Sequence, residues 1–384
     1  MHIYINDLHF ICLVMKYYII AGEASGDLHG SNLMKALYKE DANAEIRFWG
    51  GDLMQNVGGT LVKHYKERSF MGFLEVIQNI SKIFKDIAFC KSDIASFNPD
   101  ALIFIDNSGF NLRIAKWAKE QNFQTSYYIS PQVWASRAGR VEAIKRDIDH
   151  MYVILPFVED FYKKYDYKVD FVGHPLIDAI ENKTYADETD FRKEHNLSNN
   201  PIIALLPGSR KQEITKMLSI MLSVTDDFKG YEFVIAGAPS QEFEFYKPFL
   251  KKKNINFISN KTYDLLNISH AALVTSGTAT LETALFKVPQ VVCYKANAVS
   301  YQIARRIITL KFISLVNLIM DKEVVKELIQ SDLNTKQLKK ELNNILTSPK
   351  REEILKDYEL LQQKLGGKGA SEKTAHLIHK RLKK

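Results

Sequence analysis

Two short stretches in the second half of this chain collect residue types that handle anions. Ile202-Ile203-Ala204-Leu205-Leu206 is an apolar run that ends in Pro207-Gly208-Ser209-Arg210. A strand that turns through Gly and Ser into a helix leaves backbone N–H groups at the positive end of the helix dipole, where a phosphate can sit. Arg210 adds a planar cationic fork suited to phosphate oxygens. Ser209 stands where it could cap the next helix, with Gln212 at the spacing of a capping box. Leu273-Val274-Thr275 runs likewise into Ser276-Gly277-Thr278-Ala279-Thr280-Leu281-Glu282. There Ser276, Gly277, Thr278 and Thr280 present N–H and O–H donors, and Glu282 offers a carboxylate to the paired hydroxyls of a ribose. Together the two turns describe a nucleotide-diphosphate site, with Gly237 of Ala236-Gly237-Ala238-Pro239 on the same rim. Neither is a Walker A loop or a GxGxxG turn.

The first half repeats the device with opposite charge. Tyr17-Tyr18-Ile19-Ile20-Ala21 leads into Gly22-Glu23-Ala24-Ser25-Gly26-Asp27. Glu23 and Asp27 would repel a phosphate and suit proton transfer, while Ser25 and Gly26 suit hydroxyl binding. Ile105-Asp106-Asn107-Ser108-Gly109-Phe110-Asn111 puts a further carboxylate at the end of a buried strand. Crowding by apolar neighbours raises the pKa of such a group and fits it to act as a general base. The alternative is an Asp that caps the helix starting near Asn111. Ser130, Gln132 and Trp134 in Ser130-Pro131-Gln132-Val133-Trp134 bring hydroxyl, amide and aromatic groups to another strand end, a sugar-binding mixture, although Trp134 equally suits a core.

The elements that would position these residues alternate along the chain. Buried strands are expected at 17–21, 45–51, 101–106, 124–129 and 151–155, with helices at Ser31–Glu40 and Leu112–Gln121 between them. The pattern restarts after Phe171-Val172-Gly173-His174-Pro175, read as a hinge, with strands at 202–206, 231–236, 255–258, 271–275 and 290–294. From Lys322 onward the chain reads as helical and rich in Lys and Glu. Continuous apolar strands alternating with helices predict parallel sheets covered on both faces. The fold class is therefore α/β, with two doubly wound domains in tandem at 15–175 and 176–350 and a helical tail at 351–384. Residues 1–14 lack a basic start and a small-residue cleavage site, so they do not read as a signal peptide. Met15-Lys16 directly before the first strand marks them as an upstream extension, with an extra edge strand as the alternative.

Composition narrows the class. A length of 384 residues suits two ordinary domains, and 46% hydrophobic with 25% charged residues predicts a folded chain. The net charge of +7 is weaker than a dedicated nucleic-acid binder would carry, but it suits anionic ligands or an anionic membrane face. Cys12, Cys90 and Cys293 are odd in number and far apart, so no disulfide framework or metal site is read and a reducing cytoplasm is expected. No run approaches the roughly 20 apolar residues of a membrane span. Apolar residues at 73, 76, 77, 80, 83, 84 and 87 keep helical spacing and would ordinarily be a buried face. His376 and His379 read as exposed rather than metal-binding, and Lys251-Lys252-Lys253 as a solvated run.

In order along the chain, Ala21–Asp27, Met71-Gly72-Phe73-Leu74-Glu75-Val76, Ser130–Trp134, Gly173-His174-Pro175-Leu176, Leu206–Arg210 and Thr275–Glu282 resemble the lipid-A-disaccharide synthase family. The likeness spans residues 16 to about 330. It implies a GT-B glycosyltransferase, two Rossmann-like domains with parallel sheets facing across a cleft, acting with inversion and without a cofactor or metal. The implied donor is UDP-2,3-diacylglucosamine and the implied acceptor 2,3-diacylglucosamine 1-phosphate. The products would be a tetraacyl disaccharide 1-phosphate and UDP, formed at the cytoplasmic face of the inner membrane. The resemblance makes Asp106 the base, with Glu23 or Asp27 in reserve. It assigns Arg210, Ser209, Thr278 and Glu282 to UDP and adds Asn317, near the donor. The family often has Pro at Val316, a second aromatic at Ser136 and, in some members, an acid at Gly109. Because both substrates carry acyl chains, Phe73, Ile77, Ile80 and Phe84 become a membrane or acyl contact expected to be partly exposed. A homodimer is left open. The rival readings are another UDP-sugar GT-B enzyme, such as a peptidoglycan N-acetylglucosaminyltransferase or a UDP-sugar epimerase, and a non-enzymatic membrane-surface or nucleic-acid-binding protein.

Overall fold

Runs of buried β-formers generate two parallel sheets, each in its own unit of the chain. The computed structural model describes residues 14–68, 80–136, 138–250, 255–297, 301–302, 310–347 and 349–383. One unit comprises Met1–Pro175 with Gly369–Lys384, and the other Leu176–Lys368.

In the first unit the strands are β1 (Lys16–Ala21), β2 (Glu45–Gly50), β3 (Thr60–His64), β4 (Ala101–Ile105), β5 (Thr125–Tyr128), β6 (His150–Val153) and β7 (Asp170–Phe171). Their order is β3-β2-β1-β4-β5-β6-β7. The central β1 pairs in parallel with β2 and β4, in registers that include Ile20 with Trp49 and Ala21 with Ile105. Tyr17 to Ile20 are fully buried. An aliphatic side chain so placed contributes about 1.5–3 kcal/mol through burial, which is why this run becomes the central strand.

The second unit contains β8 (Ile202–Leu206), β9 (Glu232–Gly237), β10 (Asn256–Ser259), β11 (Ser269–Thr275), β12 (Gln290–Tyr294) and β13 (Lys326–Ile329). They order as β10-β9-β8-β11-β12-β13, again all parallel. In each sheet the strand order reverses direction at one place, between β1 and β4 and between β8 and β11. Ligands of open parallel sheets bind beyond the carboxyl ends of the strands at such a switch point.

The structure departs from the sequence expectations at the sheet edges and in the tail. β3, β7 and β13 are edge strands that were not anticipated. β13 reads Lys-Glu-Leu-Ile, and its charges resemble an exposed helix face. The helix after β1 begins at Ala24 rather than Ser31, and the one after β4 at Ser108. The 351–384 tail is not one region. Helix Lys350–Lys364 belongs to the second unit, whereas Ala370–Leu382 belongs to the first. There Ala375 and Ile378 join the core formed by Leu33, Met34 and Leu37. His379 is correspondingly buried, its Nδ1 at 3.1 Å from the Tyr17 hydroxyl, while His376 stays exposed. Residues 1–13 (with Cys12), Phe73, Ile77, the side chain of Ile80 and the Lys251-Lys252-Lys253 run lie outside what the structure describes. Cys90 and Cys293 are buried.

Candidate functional site: two switch points of opposite chemistry

At the switch point of the second unit, the turns after β8, β9 and β11 line one pocket of about 250 Å³. Gly208, Ser209, Gly237, Ser276, Gly277 and Thr278 are on its wall, together with Glu282. Gly208 has φ +108°, a conformation costly for any residue with a Cβ, and a Cβ there would also lie 3.0 Å from Glu213 Oε2. Helices Lys211–Leu222 and Thr278–Leu285 start at this pocket and direct the positive ends of their dipoles to it. Burial raises the pKa of Glu282, and a hydrogen bond from the Tyr263 hydroxyl to its Oε1, at 3.0 Å, opposes that rise.

Several residues expected to touch a ligand here also make contacts within the loops. The helix after β8 is capped at Arg210, not Ser209, and Glu213 rather than Gln212 accepts the Arg210 backbone N–H at 3.4 Å. Ser209 contributes its carbonyl, which accepts from Ser240 Oγ at 2.9 Å. Arg210 is outside the pocket lining, its side chain 83% exposed and its Nη1 3.7 Å from Glu213. Thr280 is fully buried and donates to the Gly277 carbonyl at 2.8 Å, which fixes the turn. Asn317 is also fully buried. Its Nδ2 donates to Val325 O and Glu327 Oε1, and its Oδ1 accepts from the N–H groups of Val324 and Val325. Glu327 in turn accepts from the backbone of Ile313 and Ser314, and the Ile313 carbonyl accepts from Ser276 Oγ at 2.9 Å. Asn317 thus sets the loop that places Ser276, and its own amide is fully committed.

The first unit's switch point is acidic. Asp106 and Asn107 follow β4 with φ of +44° and +43°, two consecutive left-handed residues. Such backbone persists when its surroundings over-determine it. Asn111 is fully buried, and its Nδ2 donates to the carbonyls of Ile20, Ile105 and Asp106 at 3.4, 3.1 and 2.8 Å. The Tyr127 hydroxyl also donates to the Asp106 carbonyl. Asn111 is therefore a clamp beneath the site and not one of its accessible groups. Across the switch point, a Cβ on Gly22 would lie 2.0 Å from Asn107 Nδ2, so only glycine lets the two turns meet. Glu23 is exposed. The Asp106 side chain reaches solvent, yet its carboxyl is raised in pKa, first by desolvation against the surrounding protein and then by the charge of Glu23.

Asp27 has a different task from the one its spacing suggested. It is 2% exposed, and its carboxylate accepts the backbone N–H groups of Gly51 (2.7 Å), Leu53 (3.0 Å) and Met54 (3.1 Å). It caps helix Asp52–Val57 from a distance, with both carboxylate oxygens engaged by the backbone. Ser25 and Gln132 are exposed, Gly26 is buried, and Ser130 is half-buried. Trp134 is also half-buried and packs edge-on against Phe157. On helix Ile80–Phe97, Phe84 is 61% and Phe89 49% exposed. Residues missed in the sequence are Thr262 and Thr275, both on the pocket wall, and Tyr263 beside Glu282. Thr262 and Tyr263 open the short helix Thr262–Asn267 directly after β10, but the intervening turn, Asn260-Lys261, lacks the Gly and Ser of the other strand ends and so gave them no motif. Among the described residues no three His, Cys, Asp or Glu side chains gather as a metal site.

Comparison with known proteins gives this geometry a family. A family described as "Lipid-A-disaccharide synthetase" matches residues 17–380. The lipid-A-disaccharide synthase of Syntrophus aciditrophicus is 38% identical over 376 residues, 95% of this chain and 97% of that protein. That of Geobacter metallireducens is 35% identical over 373 residues, 95% and 97% of the two chains. Among solved structures, the S. aureus MnaA–UDP co-structure matches with TM-score 0.69 at 14% identity, covering 96% of this chain and 97% of that one. So low an identity speaks to the fold alone, a GT-B-like arrangement of α/β sheets. Full-length sequence similarity together with that fold places this chain in the lipid-A-disaccharide synthase family of glycosyltransferases.

Proposed function

We propose that this chain transfers 2,3-diacylglucosamine from its UDP conjugate to the 6-hydroxyl of 2,3-diacylglucosamine 1-phosphate, with inversion. The products are UDP and a β-1,6-linked tetraacyl disaccharide 1-phosphate for lipid A. The observation that carries this reading is the chemical contrast of the two switch points, one rich in N–H donors and one acidic.

In this mechanism Asp106 takes the proton of the acceptor hydroxyl. The resulting oxygen attacks the anomeric carbon of the donor from the face opposite UDP, and the bond from that carbon to the phosphate oxygen breaks. Charge developing on the departing diphosphate is met by the helix starts at Lys211 and Thr278, an electrostatic stabilisation available before the reaction begins. Arg210, exposed and 3.7 Å from Glu213, can join it. The Asp106 pKa, raised by desolvation and by Glu23, makes it a stronger base than an ordinary carboxylate. No cofactor is assigned. Phe84 and Phe89, exposed between Lys82 and Lys85 and toward Lys91 on one helix, support contact with an acidic membrane face, the cytoplasmic side of the inner membrane in this reading.

The testing experiment is Asp106→Asn, which keeps size and backbone. Turnover is expected to fall by about 10²–10⁴ with UDP binding, measured by calorimetry, unchanged. Turnover at the original rate would remove Asp106 from the role of base.

A further inference from the structure

Glu282 reaches the pocket wall from helix Thr278–Leu285, and its Oε1 accepts the Tyr263 hydroxyl at 3.0 Å. Among the described residues no other hydrogen bond reaches this carboxylate. We propose that Tyr263 is a positioning residue that locks one oxygen of Glu282, so that the other is presented to the ribose hydroxyls of bound UDP. This rests on the UDP-sugar reading of the pocket and adds to it the residue that sets its preference for ribose.

Tyr263 is built to stay still. Its ring packs on Phe286 at 5.3 Å between centroids, and Phe286 meets Tyr185 edge-on at 5.5 Å. The Lys183 ammonium lies over both tyrosine rings, at 5.3 and 5.6 Å, and is anchored to Asp264 at 2.8 Å. The hydroxyl therefore has a fixed origin, while a glutamate side chain alone has three torsions to settle. Holding one oxygen removes most of that freedom before the nucleotide arrives, and preorganisation of this kind appears as affinity. Burial keeps the Tyr263 hydroxyl protonated, so it remains a donor throughout the working pH range. The bond also opposes the burial that raises the Glu282 pKa, which favours the charged acceptor that ribose hydroxyls need.

Titration calorimetry with UDP and with 2′,3′-dideoxy-UDP tests this on the full chain carrying Tyr263→Phe or Glu282→Gln. The proposal expects Tyr263→Phe to lose about tenfold in UDP affinity and to bind the dideoxy compound as the original chain does. It also expects UDP affinity in Tyr263→Phe to decline at a higher pH on acidification, because Glu282 loses the bond that favours its charged form. Equal weakening of both nucleotides would indicate a packing role and overturn the proposal, as would no change in either. If Glu282→Gln reduces UDP affinity selectively while Tyr263→Phe does not, the UDP site stands and the positioning role falls. If Glu282→Gln leaves UDP binding intact, the ribose contact itself is wrong and the proposal falls with it.

Discussion

Asp106 and Asp27 are carboxylates of one unit with opposite fates, and their surroundings decide which is which. Asp27 faces three backbone N–H groups and is consumed by them. Asp106 has its backbone clamped by Asn111 and Tyr127 and its carboxyl left toward solvent, with Glu23 nearby. Replacing Asp27 with Ala should cost about 3 kcal/mol of stability, read by urea denaturation. An Asp27→Ala protein of unchanged stability would refute the capping role. For Asp106 the sign is fixed by its raised pKa. In the proposed mechanism Asp106 must be ionised, so kcat/KM should fall as pH drops through that raised pKa. Glu23→Gln removes a like charge, lowers the Asp106 pKa, and should move this fall to lower pH. A pH profile unmoved by the substitution would show that Glu23 does not act on the base. The strand-end placement of Asp106 was legible because a buried apolar run must stop where the chain turns. The task of Asp27 was not, since its partners lie 24 to 27 residues away and leave no local pattern.

Strand ends and turns carry the reactive groups, but edge elements hold the turns in shape. Glu327 on β13 grips the 313–317 loop, and that loop accepts the Ser276 hydroxyl. Asn317 closes the same loop with its amide oxygen and nitrogen both engaged. Asn317→Ala should destabilise the second unit by about 2–4 kcal/mol, because buried backbone donors lose their acceptor. Thermal unfolding followed by UDP titration checks this. Full stability with selective loss of UDP binding would instead restore Asn317 as a ligand contact. The central strands were legible from continuous apolar runs. β3 and β13 were not, because short edge strands carry charge and polarity that also suit a helix face.

For the molecule as a whole, the same topological rule operates twice with different residues installed. β1/β4 and β8/β11 are each the place where a parallel sheet reverses its order, and each has received different turns, acidic at Glu23 and Asp106 in the first unit and rich in Gly, Ser and Thr in the second. The two α/β units were legible in the restart of the strand and helix pattern after residue 175. The passage of the last helix back to the first unit was not, because the partners of Ala375 and Ile378 lie more than three hundred residues earlier. The +7 charge and the exposed Phe84 and Phe89 of helix Ile80–Phe97 are the features on which the proposed contact with lipid-borne substrates rests. Purified protein supplied with UDP-2,3-diacylglucosamine and 2,3-diacylglucosamine 1-phosphate, without added metal, should release UDP in step with a β-1,6-linked tetraacyl disaccharide 1-phosphate seen by mass spectrometry and NMR. UDP released without the disaccharide, or neither product formed, would contradict it.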